Sequence, residues 1–226
     1  MQKNYLIAAF EQTAAERFPA QGPELLAAMH RRIEALRKDN AGASQELWAH
    51  LESQIMPGIA IYEVLQTVVS KEEALQLIHG YVNAHARKYH TLFRRLLKLP
   101  GLYHAMPGIF AKGVAEKFGP AAGFRYLTHE ATKDVIRFDM LQCPYHDACR
   151  KYGCPELCRC FCDSDDITYD GLHPKLLWHR TKTLGRGNDC CDFGLMIQKI
   201  RSENAPWRSN DSATRPGKPS CCCTAT

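Results

Sequence analysis

No cysteine occurs before Cys143, although the chain of 226 residues contains 11 of them. A secreted scaffold held by disulfides spreads its cysteines along a short chain. This distribution argues against that class and favours a reducing, cytoplasmic compartment in which thiols serve metal binding or catalysis. No apolar run approaches the roughly 18 residues that a membrane-spanning helix needs. The N-terminus holds only a short apolar patch, from Tyr5 to Phe10, before turning polar; it reads as a helix start and not as a secretory leader. No block of like charge is present either. The net charge is +5, with Lys and Arg scattered, so a nucleic-acid partner has little support.

What is present suffices for an ordinary core, since 45% of the residues are hydrophobic. Residues 1–118 read as helical. Leu25, Leu26, Met29, Ile33 and Leu36 recur at helical spacing behind Pro23, which is tolerated in a first turn. A second helix is expected over 45–56, stopping before Pro57-Gly58, and a third over 59–69. Ser70-Lys71-Glu72-Glu73 has the form of a capping box and opens the longest helix, which Pro100-Gly101 closes. A short helix over 110–118 completes this half.

The pattern changes after Gly119-Pro120. Residues 124–131 and 135–143 are rich in aromatic and β-branched residues and read as a hairpin. A helix is expected over 145–162, then strands over 175–184 and 190–199 with 185–189 as the turn. The expected fold is α+β: a helical part (1–118) packed on a four-stranded antiparallel sheet built as hairpin, helix, hairpin (119–201), in one integrated domain. From 202 to 226 Ser, Asn, Pro, Arg and Lys dominate, which predicts a disordered tail. It carries Cys221, Cys222 and Cys223.

The chemistry concentrates in the second part. Cys154, Cys158, Cys162 and Asp166 stand four residues apart, and on one unbroken helix they would share a face. Such a stripe serves as core or as a site, because free Cys packs like a small hydrophobe. Cys143-Pro144 ends a strand and begins a helix, where the dipole favours a thiolate. The spacings lack the paired knuckles of a zinc finger. Arg180 falls on the expected face of Trp178 and needs an anionic partner, either Asp166 or Asp192 or a substrate carboxylate. Cys191 and Asp192 alternate on their strand and reach different faces unless it is bulged.

The run Cys143-Pro144, Gly153-Cys154-Pro155-Glu156-Leu157-Cys158, Phe161-Cys162 and Asp166, followed by Arg180-Thr181-x-Thr183-Leu184-x-x-Gly187 and Cys191-Asp192-Phe193, resembles the L-2-amino-thiazoline-4-carboxylic acid hydrolase family. The resemblance covers about residues 120–196. It implies hydrolytic opening of a small amidine-like ring carrying a carboxylate. Attack on the ring carbon needs a thiolate or activated water, an acid for the leaving atom and a cation for the carboxylate. Cys162 or Cys143 would be the nucleophile, Asp166 or Asp192 the acid/base, and Arg180 the anchor, with Cys191, His179 and Thr183 beside them. Alternatively Cys143, Cys158, Cys162 and Cys191 would hold a divalent metal that activates water. The expected partner is a small-molecule substrate. A non-catalytic metal- or small-ligand-binding module, or another reaction on the same scaffold, is the alternative.

Overall fold

The structure, a computed structural model, describes residues 4–198. The expected tail and its three cysteines lie outside the described residues. Helices α1 (Tyr5–Arg17), α2 (Gly22–Asp39), α3 (Gln45–His50), α4 (Met56–Leu65), α5 (Lys71–Leu96) and α6 (Met106–Lys117) come first. Strands β1 (Arg125–Ala131) and β2 (Val135–Gln142), helices α7 (Pro144–Lys151) and α8 (Cys158–Tyr169), and strands β3 (Leu176–His179) and β4 (Cys191–Ile197) follow. The fold is α+β, helices first and sheet last.

The expected stop before Pro57 is absent. Helix α3 passes through a π-helical turn (Leu51–Ile55) directly into α4, which contains Pro57 near its start. Proline has no N–H for the carbonyl four residues back, here that of Ser53. The side-chain amide of Asn4 donates to that carbonyl at 2.8 Å and to the carbonyl of Glu52 at 3.2 Å. The same side chain caps α1, accepting from the amides of Leu6 and Ile7. Gly58 is required by close packing: a Cβ there would stand 2.6 Å from Cζ of Phe161, where α4 meets α8. Ser70 caps α5 as expected, accepting from the amide of Glu73. The Glu73 carboxylate is bonded to Arg17.

The helix expected over 145–162 is two helices. Gly153 adopts φ 73°, and the amide of Cys154 donates to the carbonyl of Cys149 at 2.8 Å, the closing bond of a helix C-terminus. A 3₁₀ turn (Pro155–Leu157) then leads into α8. Cys154 therefore leaves the proposed stripe, while Cys158, Cys162 and Asp166 keep it.

The sheet is antiparallel in the order β1-β2-β4-β3. Strand β3 is shorter than expected because the amides of Thr181 and Lys182 donate to the side chain of Asp192, at 2.8 and 2.5 Å, and not to a neighbouring strand. Two apolar cores result. One joins α1, α2, α4, α5 and α8 through residues such as Phe10, Leu36, Ile59, Ile78 and Phe161. The other packs Ile136, Phe138, Trp178 and Leu195 of the sheet against Met106 and Val114 of α6. Helix α5 contributes Val82 to the first and Leu97 follows it into the second, so the two cores meet along α5 and α8.

Candidate active site

Arg180 follows the last residue of β3, and its side chain is 1% exposed. Its guanidinium donates from one Nη to Oδ2 of Asp165 at 3.0 Å. The other Nη reaches Oδ2 of Asp166 and the carbonyl of Cys162, both at 2.6 Å. It lies over the ring of Phe193, 5.4 Å from the centroid. Burial would weaken its charge, but Asp165 and Asp166 more than offset that and keep it protonated. Asp166 completes its bonding by accepting from Nε1 of Trp178 at 2.9 Å. Arg180 thus pairs with one expected carboxylate, Asp166, and with one that sequence reading missed, Asp165. Asp192 is not its partner. Both Nη groups are committed inside the protein, while Nε is buried and has no hydrogen-bond partner among the described residues.

Asp192 works on the other face of the sheet. It accepts from the amides of Thr181 and Lys182 and from the Thr181 hydroxyl at 2.6 Å. Partial burial raises its pKa, but these donors outweigh that and hold it below the ordinary carboxylate value. His179 stands 3.9 Å from it and is 40% exposed. Asp192 orders the segment after β3 through its bonds to Thr181 and Lys182. Thr183 is buried, and its hydroxyl has no hydrogen-bond partner among the described residues.

The cysteines gather around Arg180. The thiols of Cys158 and Cys162 are 3.8 Å apart, one helical turn from each other. Gly185 closes over them: a Cβ there would meet Sγ of Cys162 at 3.0 Å and Sγ of Cys158 at 3.2 Å. The sulfur of Cys191 accepts from the amide of Leu184 at 3.2 Å. These thiols are protonated. Cys162 is pushed far up by its bond with Cys158 and by burial, with Arg180 as a weaker opposing influence. Burial raises Cys191 to about 12. Cys143 occupies the N-cap of α7 as expected, yet burial raises its thiol despite the nearby amides of His146 and Tyr145. The expected thiolate at the helix start gives way to desolvation. Among the described residues no three His, Cys, Asp or Glu side chains are gathered to hold a metal ion. Cys143, Cys158, Cys162 and Cys191 are thus not brought together as one ligand set among the described residues.

Beside this cluster opens a cavity of about 570 Å³, between α5 and α6 on one side and α8 on the other. Tyr5, Gln54, His85, Lys117, Ser164, Asp165 and Thr168 give it polar groups. Asp165 is the residue that connects the cavity to Arg180. Its carboxyl is raised to about 6, by desolvation first and by Asp166, with Arg180 acting in the opposite direction. The side chain still has 41% exposure, which it owes to the cavity it lines. Apolar walls surround it while water reaches it through the opening. Its only hydrogen bond to a described residue engages Oδ2, leaving Oδ1 for a ligand. Asp165 falls outside a pattern of steps of four and so carries no signal there. Steps of three share a helix face equally well, and Asp165 stands three residues after Cys162.

The pattern that defines L-2-amino-thiazoline-4-carboxylic acid hydrolases matches residues 48–195. The chain belongs to that family. The match begins in α3 and takes in α4, α5 and α6, so the helices that wall the cavity are part of the family unit along with the cysteine-rich segment. No curated protein and no solved structure matches the chain. No helix among the described residues is long and apolar enough to cross a membrane.

Proposed function

We propose that this family member hydrolyses a small cyclic amidine of the 2-amino-thiazoline-4-carboxylate type, with Asp165 as the general base and then the general acid. The observation that carries this reading is the Asp165 carboxyl on the wall of a 570 Å³ cavity, its Oδ2 held by Arg180 and its Oδ1 without a partner among the described residues, with burial raising its pKa toward the working pH. A base is most useful when its pKa lies near the working pH, and cavities of several hundred Å³ are the normal size for small-molecule sites.

The ring carbon of such a substrate lies between nitrogen and sulfur, and its protonated form presents paired N–H donors that suit a carboxylate. A water oxygen would bond to that carbon as its proton passes to Asp165. The C–N or C–S ring bond then breaks, and Asp165 returns the proton to the departing atom. Arg180 acts as a positioning residue, fixing Oδ2 of Asp165 and limiting how far its pKa rises. Lys117 lines the same cavity and would face the substrate carboxylate. His85 lines it too, but burial lowers its pKa, so it is the poorer cation. The clustering of all the cysteines from Cys143 onward supports a reducing compartment such as the cytoplasm.

Incubating purified protein with 2-amino-thiazoline-4-carboxylate and following the gain of one water by mass spectrometry tests this reading. Turnover that rises with pH through about 6 supports it. No turnover at any pH from acid to alkaline would reject this substrate.

A further inference from the structure

The cavity is larger and more apolar than a thiazoline ring requires. Val82, Phe93, Met106, Phe110, Val114 and Tyr169 form much of its wall. Two of its hydroxyls are spent inside α8: Ser164 donates to the carbonyl of Phe161 at 2.6 Å, and Thr168 to that of Ser164 at 2.7 Å. At about 30 Å³ of liquid volume per water, 570 Å³ would take many waters that the apolar walls cannot bond. Tyr89, Leu96 and Ile109 also line it and are 45%, 45% and 55% exposed. Large exposed apolar side chains in one cluster mark a surface that meets something apolar.

Charge separates along the same cavity. The Asp165 end carries two carboxylates against one guanidinium, an excess of one negative charge when both are ionised. Residues 74–115, which supply most of the opposite wall, contain no Asp or Glu. A cation is therefore drawn to the Asp165 end, and apart from Lys117, which would take the carboxylate, the α5–α6 wall offers apolar surface to the rest of the ligand.

We infer that the cavity binds an amphiphile, with an amidinium-type head on Asp165 and an apolar chain of several carbons laid against the α5–α6 wall. The inference deepens the reading of Asp165 as the ring-binding carboxylate and rests on it. It assigns the natural substrate a lipophilic substituent that the bare thiazoline carboxylate lacks. Burying each methylene of such a chain would tighten binding about fourfold.

The test titrates the full chain with acetamidine, butanamidine and hexanamidine by calorimetry, since none of these can be turned over as a ring. Affinity should rise about fourfold per methylene along the series. Asp165→Asn should weaken all three by a similar factor and keep the slope. Gly113→Leu directs a side chain at the path of the alkyl chain, because Gly113 lies within α6, lines the cavity, and a Cβ there meets nothing within 4 Å; an unchanged melting temperature checks that it folds. The variant should flatten the slope, weakening hexanamidine most and acetamidine least. Equal affinities across the series, no binding at all, or a slope that Gly113→Leu leaves intact would overturn the inference. A flat series in protein that still opens the bare ring sinks only the lipophilic chain. A steep series without ring opening sinks only the hydrolytic reading.

Discussion

Replacing Arg180 tests the junction on which the site rests. Arg180→Met keeps the length of the side chain and removes its charge. Three bonds go with it: those to Asp165, Asp166 and the Cys162 carbonyl. Breaking a buried ion pair by removing one partner costs about 3–5 kcal/mol. The carboxylates left behind keep 41% and 37% side-chain exposure, so water recovers part of that loss and the lower end applies, about 3 kcal/mol. For a chain of this size each kcal/mol moves the melting temperature by about 2–4 °C, which gives a drop of about 6–12 °C. Arg180→Lys keeps the charge but not the fork and should lose one charged hydrogen bond, about 1.5 kcal/mol. Urea and thermal unfolding at neutral pH measure both. The methionine variant should also move the acid limb of the activity profile above about 6, because Arg180 is what holds the Asp165 carboxyl down. A methionine variant as stable as the parent, with an unmoved acid limb, would refute both the structural ledger and the link to Asp165.

Asp165 itself makes stability depend on pH. Its folded pKa of about 6 lies above the unfolded carboxylate value. The fold therefore favours the protonated form, and stability should fall as pH rises from about 4 through about 6. Cavity water softens the size of this effect; Asp165→Asn should remove it, as unfolding titrations at a series of pH values would show. Gly185→Ala should push a methyl group into the Cys158 and Cys162 thiols and cost about 1–3 kcal/mol by overpacking; a variant with unchanged urea midpoint would contradict that packing. Cys162→Ser should retain most of kcat, because its buried thiol is protonated at working pH. Its loss of activity with stability intact would return the nucleophile's role to sulfur.

Much of the fold was legible because local chemistry and tertiary structure agree there. The Ser70 cap, the turn at Thr132-Lys133-Asp134 and the alternation of Ile136, Phe138 and Met140 toward the core each express one short-range rule. The failures came where a distant side chain overrode such a rule. Pro57 reads as a helix stop until the Asn4 amide arrives at the carbonyls that proline leaves unbonded. Residues 180–184 read as strand until Asp192 takes the amides of Thr181 and Lys182. At the site, Arg180 with Asp166 beside Cys162 could be anticipated from face and spacing. Asp165 could not be ranked above Asp166 from the sequence. What distinguishes them is that α5 and α6 fold over one carboxylate and leave a cavity there, a fact of tertiary packing.

The most direct test of the account is the pH profile of kcat/KM for 2-amino-thiazoline-4-carboxylate in the parent protein and in Asp165→Asn. The parent profile should have an acid limb near 6, and Asp165→Asn should be folded, lack that limb and be slower by about 10²–10⁴-fold, the usual worth of a general base. An asparagine variant with parental kcat/KM and an unchanged limb would contradict it.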